Sequence, residues 1–133
     1  MEREVTKSEV EWRSSLPPDR YRVLREAATE PPGSGSYLHV HDDGTFSCGA
    51  CGAELFSSSD KFDSGSGWPS FTQPMVAQAV ELAKDRSFGT VRTEVRCRRC
   101  GSHLGHVFDD GPGPTGKRYC VNSLALDMSP TSS

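Results

Sequence analysis

The chain has 133 residues, 34% of them hydrophobic, with 13 Gly and 9 Pro, which suits a turn-rich domain whose modest core a bound metal would stabilise. Its formal net charge of −3 gives no overall attraction to nucleic acid or an anionic membrane, and no apolar run approaches the roughly 20 residues of a membrane span. We therefore predict one monomeric domain over residues 1–133, with flexible ends at about 1–5 and 129–133 and without nucleic-acid or membrane partners.

The N-terminal segment mixes charges and has no apolar stretch resembling a signal peptide, which favours a cytoplasmic protein. Two capping-box registers, Thr6–Glu9 and Ser8–Glu11, predict the start of a short helix. Pro17-Pro18 ends that helix and opens a second one, which Pro31-Pro32 stops. We expect the apolar face of the second helix to consist of Tyr21, Leu24 and Ala28.

Beyond the helices the residue pattern changes to that of β-strands. Strands over Tyr37–His41 and Thr45–Cys48 flank the turn signal Asp42-Asp43-Gly44, and this arrangement predicts a hairpin. The segment Lys61–Phe71 contains glycines, a proline and aromatic residues, which predict an ordered loop.

The second half of the chain also predicts strands. Met75–Lys84 fits either a helix or a strand, and we favour the strand. From Val91 to Arg96 apolar and charged residues alternate, as in a half-buried strand with a charged outer face. His103–Phe108 and Arg118–Leu126 are predicted strands joined by the loop Asp109–Lys117. The predicted fold class is mainly β, with small antiparallel sheets, short N-terminal helices and a four-cysteine zinc site.

Four of the five cysteines form two C-x-x-C pairs, Cys48 with Cys51 and Cys97 with Cys100. In a reducing compartment such cysteines are more often metal ligands than disulfides. Two paired units predict one tetrahedral zinc site, and a closed set of four thiolates leaves no position for substrate. We therefore predict one structural Zn²⁺ per chain, with two separate redox dithiols as the alternative.

A four-cysteine zinc ribbon also raises the hypothesis of an adaptor that binds protein or nucleic acid. A local arginine cluster could contact phosphate, although we favour a solvated strand face with its own acidic neighbours. The cluster consists of Arg92, Arg96, Arg98 and Arg99.

The fifth cysteine, Cys120, has no partner at metal-ligand spacing and is a candidate nucleophile. Cations and imidazoles lower the pKa of a thiol, and the thiolate is the reactive form. The polar groups that accompany it on neighbouring predicted strands are His103, His106, Arg118 and Asn122. The alternative is a buried structural cysteine with structural histidines. His39 and His41 are weaker candidates, because nothing chemical accompanies them.

Six longer motifs follow one another along the chain. They are Cys48-Gly-Ala-Cys51-Gly-Ala-Glu-Leu-Phe56, Lys61-Phe-Asp-Ser-Gly65, Gly67-Trp-Pro-Ser-Phe71, Arg92-Thr-Glu-Val-Arg-Cys97, His103-Leu-Gly-His-Val-Phe-Asp-Asp110 and Gly116-Lys-Arg-Tyr-Cys-Val-Asn122. In this order they resemble the methionine-R-sulfoxide reductases, which reduce the R epimer of methionine sulfoxide. The similarity runs from about Glu11 to Leu126, nearly the whole chain.

The resemblance implies that Cys120 attacks the sulfoxide sulfur, expels methionine and becomes a sulfenic acid. Trp68 would form an apolar wall against the substrate methyl group. The substrate pocket would be completed by His103, His106, Asp110, Arg118 and Asn122. The family fold is a small, mainly antiparallel β structure with N-terminal helices. The implied biological role is repair of oxidised proteins or peptides under oxidative stress.

Two positions depart from the family pattern. Many members have a recycling cysteine in the segment before Trp68, where this chain has Ser66, so four zinc ligands and Cys120 account for all five cysteines. The resemblance then implies an external thiol reductant, such as thioredoxin, a glutaredoxin system or a low-molecular-weight thiol. The second departure is Gly33, where the family commonly has an aromatic residue.

Overall fold

The computed structural model describes residues 8–38, 43–86 and 91–130, and within these ranges two helices precede nine strands. The helices are α1 (Glu9–Ser15) and α2 (Pro18–Glu26). The strands are β1 (Gly44–Cys48), β2 (Glu54–Ser57), β3 (Lys61–Phe62), β4 (Ser70–Phe71), β5 (Val80–Asp85), β6 (Arg92–Cys97), β7 (His103–Phe108), β8 (Arg118–Val121) and β9 (Leu126–Pro130). No helix within these ranges is long and apolar enough to cross a membrane.

The strands form two antiparallel sheets. One has three strands in the order β2-β1-β9, and the other has six in the order β3-β4-β8-β7-β6-β5. The predicted mainly β class with small antiparallel sheets and short N-terminal helices is confirmed.

The core lies between the two sheets, because aromatic rings from both meet there. Phe56 of β2 stacks on Phe71 of β4 with ring centroids 4.5 Å apart, and Phe46 of β1 contacts the same ring edge-on at 5.2 Å. All three side chains are fully buried. Aromatic pairs of this kind contribute about 0.5 to 1.5 kcal/mol beyond the area that they bury.

The helices begin as predicted, but the second ends early. Ser8 and Glu11 form the capping box, each side chain accepting the other's backbone N–H at 3.2 Å, while Thr6 lies outside the described residues. In α2 the left-handed Ala27 (φ 56°) ends the helix after Glu26. Pro31-Pro32 is therefore not its terminator, and Ala28 lies beyond the helix. A left-handed residue at the C-terminal end is enough to stop a helix, and no proline is required.

The predicted hairpin around Asp42-Asp43-Gly44 is wrong. Both edges of β1 are already paired, since Thr45 lies opposite Ser57 of β2 on one side and Ser129 of β9 on the other. Tyr37 is part of a turn, and 39–41 lies outside the described residues. The distant β9 occupies the position that a hairpin partner would need.

The C-terminal segment also differs from the prediction. The predicted strand Arg118–Leu126 is interrupted by a 3₁₀ turn at Ser123–Ala125, where the chain leaves the six-stranded sheet and enters the three-stranded one. Strand β9 then continues to Pro130, which pairs with β1, so Ser129 and Pro130 are not part of a flexible end as predicted, and 131–133 lies outside the described residues. In the ambiguous segment Met75–Lys84 the strand is confirmed from Val80 onward, after a 3₁₀ turn.

Candidate active site and metal centre

The two C-x-x-C pairs meet at one point between the sheets. The Sγ atoms of Cys48 and Cys100 are 3.7 Å apart, those of Cys51 and Cys97 are 3.6 Å apart, and all four lie within 4.8 Å of one another. An ion bound to four sulfurs at about 2.3 Å in a tetrahedron places the sulfurs about 3.8 Å apart. The observed sulfur cluster therefore fits a metal ion of this kind.

Two matching turns shape this cluster. The backbone N–H of Gly52 donates to Cys48 O at 2.8 Å, and that of Gly101 donates to Cys97 O at 2.7 Å. Both glycines have φ of 80°, a left-handed conformation that other residues adopt at a cost. One turn connects β1 to β2 and the other connects β6 to β7, so a metal here would link the two sheets.

The arginine cluster of the sequence analysis does not form one cationic surface. Arg92 pairs with Asp85 at 3.3 Å, and Arg96 pairs with Glu94 at 2.8 Å. Strand β6 therefore turns its charged face into a cleft, where Glu94 is only 8% exposed. The predicted charged face is partly exposed at Arg92 and Arg96, whose side chains are 32% and 38% exposed, but it is covered at Glu94.

Cys120 lies on β8, buried, with one strong donor beside it. Arg118 Nη1 is 2.7 Å from the Cys120 Sγ. The same guanidinium is held by Asp110 through Nε to Oδ1 at 2.7 Å and Nη2 to Oδ2 at 3.0 Å, and it lies 4.6 Å above the Phe108 ring. This ion pair raises the pKa of Arg118 and lowers that of Asp110. Asp110 thus orients Arg118 toward the sulfur rather than reaching the sulfur itself.

A cavity of about 250 Å³ opens at Cys120. A volume of this size accommodates one amino-acid side chain rather than a large cofactor. The predicted residues that line it are Trp68, His106, Arg118, Cys120 and Asn122. Residues not predicted for the pocket also line it, namely Thr29, Ser66, Arg92, Gly105 and Phe108.

Two predicted pocket residues have structural partners that place the pocket wall. Trp68 Nε1 donates to Glu30 O at 3.0 Å. Asn122 Oδ1 accepts from Glu30 N at 3.0 Å, and Asn122 Nδ2 donates to Leu104 O at 2.9 Å. The Trp68 indole and the Asn122 side-chain amide therefore both bond to the backbone of Glu30, which fixes their positions relative to each other.

Gly105 shows what sequence reasoning could have found. A side chain at this position would collide with the backbone of Cys120 on the adjacent strand. A glycine inside a strand often marks such a close approach. The missed signal was therefore present between the two histidines of β7.

The two histidines reach the same face of the sheet only because of a β-bulge. Residues three apart in a regular strand face opposite sides, but Gly105 pairs with Val95 while His103 pairs with the next residue, Arg96. The extra residue in β7 restores the common face. His106 then lies directly opposite Cys120.

Each histidine is held by a carboxylate. His106 Nε2 is 2.8 Å from Asp85 Oδ2, and His103 Nδ1 is 2.7 Å from Glu94 Oε2. Burial lowers the pKa of His106 despite the opposing effect of Asp85. Burial disfavours ionisation of Glu94, but hydrogen bonds from His103 and Arg96 outweigh it and lower the pKa of Glu94 to about 2.

The structure therefore separates the predicted site residues into those that line the Cys120 cavity and two, His103 and Asp110, that lie outside it. His103 lines a neighbouring cleft of about 580 Å³ that shares Thr29, Arg92 and His106 with the Cys120 cavity. Asp110 lies behind Arg118. The weaker candidates His39 and His41 fall outside the described residues.

Comparison with known proteins agrees with this arrangement. The family model described as SelR domain matches residues 16–130. The chain is 60% identical over 126 residues to a peptide methionine sulfoxide reductase MsrB of Bradyrhizobium diazoefficiens, covering 95% of this chain and 91% of the relative. It is 54% identical over 130 residues to the protein of the same name from Thiobacillus denitrificans, covering 98% of each. A Leifsonia xyli protein of that name is 55% identical over 130 residues, with 97% and 94% covered.

Proposed function

Because the chain belongs to the SelR domain family and reduces methionine-R-sulfoxide to methionine, we propose that Cys120 is its nucleophile. One observation carries this assignment: the Cys120 sulfur lies at the cavity with Arg118 Nη1 2.7 Å away. A guanidinium at this distance stabilises a thiolate, which is the attacking form of cysteine.

The first step forms a bond between Cys120 and the oxidised substrate and releases methionine. The thiol proton passes to His106, directly or through water. A neutral His106 can receive it, because Asp85 accepts from Nε2 and the other ring nitrogen is then an acceptor. As the thiolate attacks the sulfoxide sulfur, negative charge develops on the sulfoxide oxygen. The proton held by His106 is transferred to that oxygen, and the Arg118 guanidinium stabilises the charge by donating a hydrogen bond. The oxygen then moves from the substrate sulfur to Cys120: the substrate S–O bond and the transient S–S bond break, and a new S–O bond forms on the Cys120 sulfur. Methionine leaves with its sulfur reduced by two electrons, and Cys120, oxidised by two electrons, ends as a sulfenic acid.

Trp68 supplies the apolar part of the pocket. Its indole lines the cavity and its Nε1 is already bonded to Glu30 O, so its remaining surface is suited to the substrate methyl group. His103 and Asp110 support the site from outside the cavity, through Glu94 and Arg118 respectively. Asn122 holds the Glu30 segment in place.

The second step consumes an external thiol. Ser66 Oγ is 3.5 Å from Cys120 Sγ, so the position from which a thiol could resolve the sulfenic acid holds a hydroxyl. A thiol reductant attacks the sulfenic sulfur, releases water and forms a mixed disulfide, and a second thiol frees Cys120. Thioredoxin or a low-molecular-weight thiol fits this role, and oxidised proteins or peptides are the substrates. We place this repair reaction in the cytoplasm, with the chain as one monomeric domain.

We further propose that Cys48, Cys51, Cys97 and Cys100 hold one Zn²⁺ per chain. The sulfur spacing and the four-thiol donor set support a closed structural site, which supplies no open position for chemistry. The alternative, a zinc-ribbon adaptor, is not favoured, because Arg92 and Arg96 are paired with acidic residues inside a cleft.

The test of this function is the reduction of each epimer of methionine sulfoxide with dithiothreitol as the reductant. We expect methionine from the R epimer and none from the S epimer. An adaptor with a structural Cys120 would reduce neither.

A further inference from the structure

Three serine hydroxyls form a connected cluster next to the Cys120 sulfur. Ser64 Oγ is 2.8 Å from Ser66 Oγ and 2.7 Å from Ser70 Oγ. The last two oxygens lie 3.5 and 3.6 Å from Cys120 Sγ. The mechanism described above uses none of these hydroxyls as a donor.

The cluster is positioned by the sheet rather than by chance contact. Ser70 is 1% exposed and lies on β4 directly opposite Cys120, so its side chain shares a face with the sulfur. Ser64 and Ser66 belong to the loop that leads into β4, and the left-handed Gly65 (φ 76°) between them turns both hydroxyls to the same point.

The protons of these hydroxyls have two alternative acceptors. Ser66 and Ser70 lie 3.4 and 3.1 Å from Trp68 O, and a hydroxyl can rotate from that carbonyl to the sulfur. When Cys120 is anionic, both can donate to it while Ser64 donates to one of them. All three protons then have acceptors, and the anion gains two donors.

We propose that Ser66 and Ser70 are further catalytic residues, whose hydroxyls donate to the Cys120 thiolate, and that Ser64 positions them. This inference rests on the proposed role of Cys120 as nucleophile. It deepens that role by assigning the anion a second set of donors besides Arg118.

The arginines around Cys120 are each paired with a carboxylate, so neutral donors can add to the stabilisation of the Cys120 thiolate. Arg118 shares its charge with Asp110, and Arg92, across the cavity, shares its charge with Asp85. His106 on β7 also lines the cavity, while β4 presents Ser70. Hydroxyl donors next to sulfur stabilise the anion without adding a further net charge.

The test measures alkylation of Cys120 by iodoacetamide against pH, with the modified cysteine identified by peptide mass spectrometry. In Ser66→Ala, Ser70→Ala and Ser64→Ala we expect the midpoint to move to higher pH. The rate at pH 7 should fall about three- to tenfold, which corresponds to about half to one pKa unit. The plateau rate at high pH should not fall, because the thiolate itself remains accessible.

Ser59→Ala is the matched control, since Ser59 is exposed and its hydroxyl pairs with that of Ser57 at 2.8 Å rather than with the serine cluster. Its profile should equal that of the unmodified protein. If buried Ser70→Ala does not fold, Ser64→Ala and Ser66→Ala decide the outcome. Unchanged midpoints in the folded variants would overturn the inference. Because alkylation needs no sulfoxide, this result is distinct from a failure of the reductase assay.

Discussion

The four-thiol cluster and the Cys120 pocket place the same side chain in two different surroundings. In the cluster each sulfur faces another sulfur at 3.6 or 3.7 Å, the backbone N–H of Ala50 donates to Cys48 Sγ at 3.4 Å, and Ser102 Oγ lies 3.1 Å from Cys100 Sγ. At Cys120 the sulfur faces a guanidinium, two hydroxyls and a cavity. The chemistry of each cysteine is thus determined by its neighbours, although both regions use the six-stranded sheet.

The comparison separates folding from reaction. The cluster connects a turn of the small sheet to a turn of the large one, so its loss should loosen the packing between them. Most of the pocket lining lies on β6, β7 and β8 of the large sheet and on the loop before β4, so a change at Cys120 should leave the fold intact. Variants in the two regions should therefore fail in different ways.

The largest effect is expected for Cys48→Ser. Structural zinc contributes about 10 to 16 kcal/mol in small zinc peptides, and loss of one thiolate from a closed site removes much of that stabilisation. The variant should lose the metal and unfold at a much lower temperature. Metal analysis and thermal unfolding would show this, with about one zinc per chain in the unmodified protein. A stable, active Cys48→Ser protein would contradict a structural role for the cluster.

The next effect is expected for Cys120→Ser. A hydroxyl is a far weaker nucleophile than a thiolate at neutral pH, so reduction of the R epimer should fall below detection. Its unfolding temperature and zinc content should match those of the unmodified protein. If the folded variant still reduced the sulfoxide, another residue would have to be the nucleophile.

A smaller effect is expected at the arginine. Arg118→Ala should lower kcat/KM about 100-fold, as removal of a donor to developing charge commonly does. Asp110→Asn keeps the arginine but weakens its orientation, so a loss of about tenfold is expected. Asp109→Asn is the matched control, because Asp109 pairs with Lys117 instead. Equal activities for the two Asp variants would exclude the positioning role.

The smallest effect is a pH dependence of stability from Glu94. Its pKa is about 2 in the folded protein against an ordinary value near 4.5, so its stabilising contribution is complete above about pH 4.5 and is lost as the pH falls toward 2. We expect a contribution of about 1 to 3 kcal/mol. Acid also protonates zinc thiolates, so the measurement is the difference in acid unfolding between the unmodified protein and Glu94→Gln. Parallel curves would exclude the predicted contribution.

Features set by neighbouring residues were predictable from the sequence. The capping box at Ser8 and Glu11 depends on contacts three residues apart. The C-x-x-C turns likewise require only local geometry, and their paired spacing indicated one cluster, which the structure confirms. The resemblance to the reductase family extended this to the pocket.

Features set by distant pairing were not predictable in the same way. The strand β9 takes the edge of β1 that a local turn signal had assigned to a hairpin. The bulge in β7 decides whether His103 shares a face with His106, and Gly105 beside it was the local sign of an irregular strand. Glu94 has the alternation of an exposed charge, but it is covered in the fold and pairs with His103.

The most direct test of the separation between scaffold and reactive cysteine is one turnover without reductant. Metal-loaded protein would receive one equivalent of methionine-R-sulfoxide and then dimedone, followed by intact mass analysis and peptide mapping. For the unmodified protein we predict one methionine released and one dimedone adduct at Cys120, with zinc retained. In the Ser66→Cys variant the new thiol would lie about where the Ser66 hydroxyl lies, 3.5 Å from Cys120 Sγ, and it should form a disulfide with Cys120 in place of the adduct. A disulfide between Cys120 and a cluster cysteine, with release of zinc, would contradict the account.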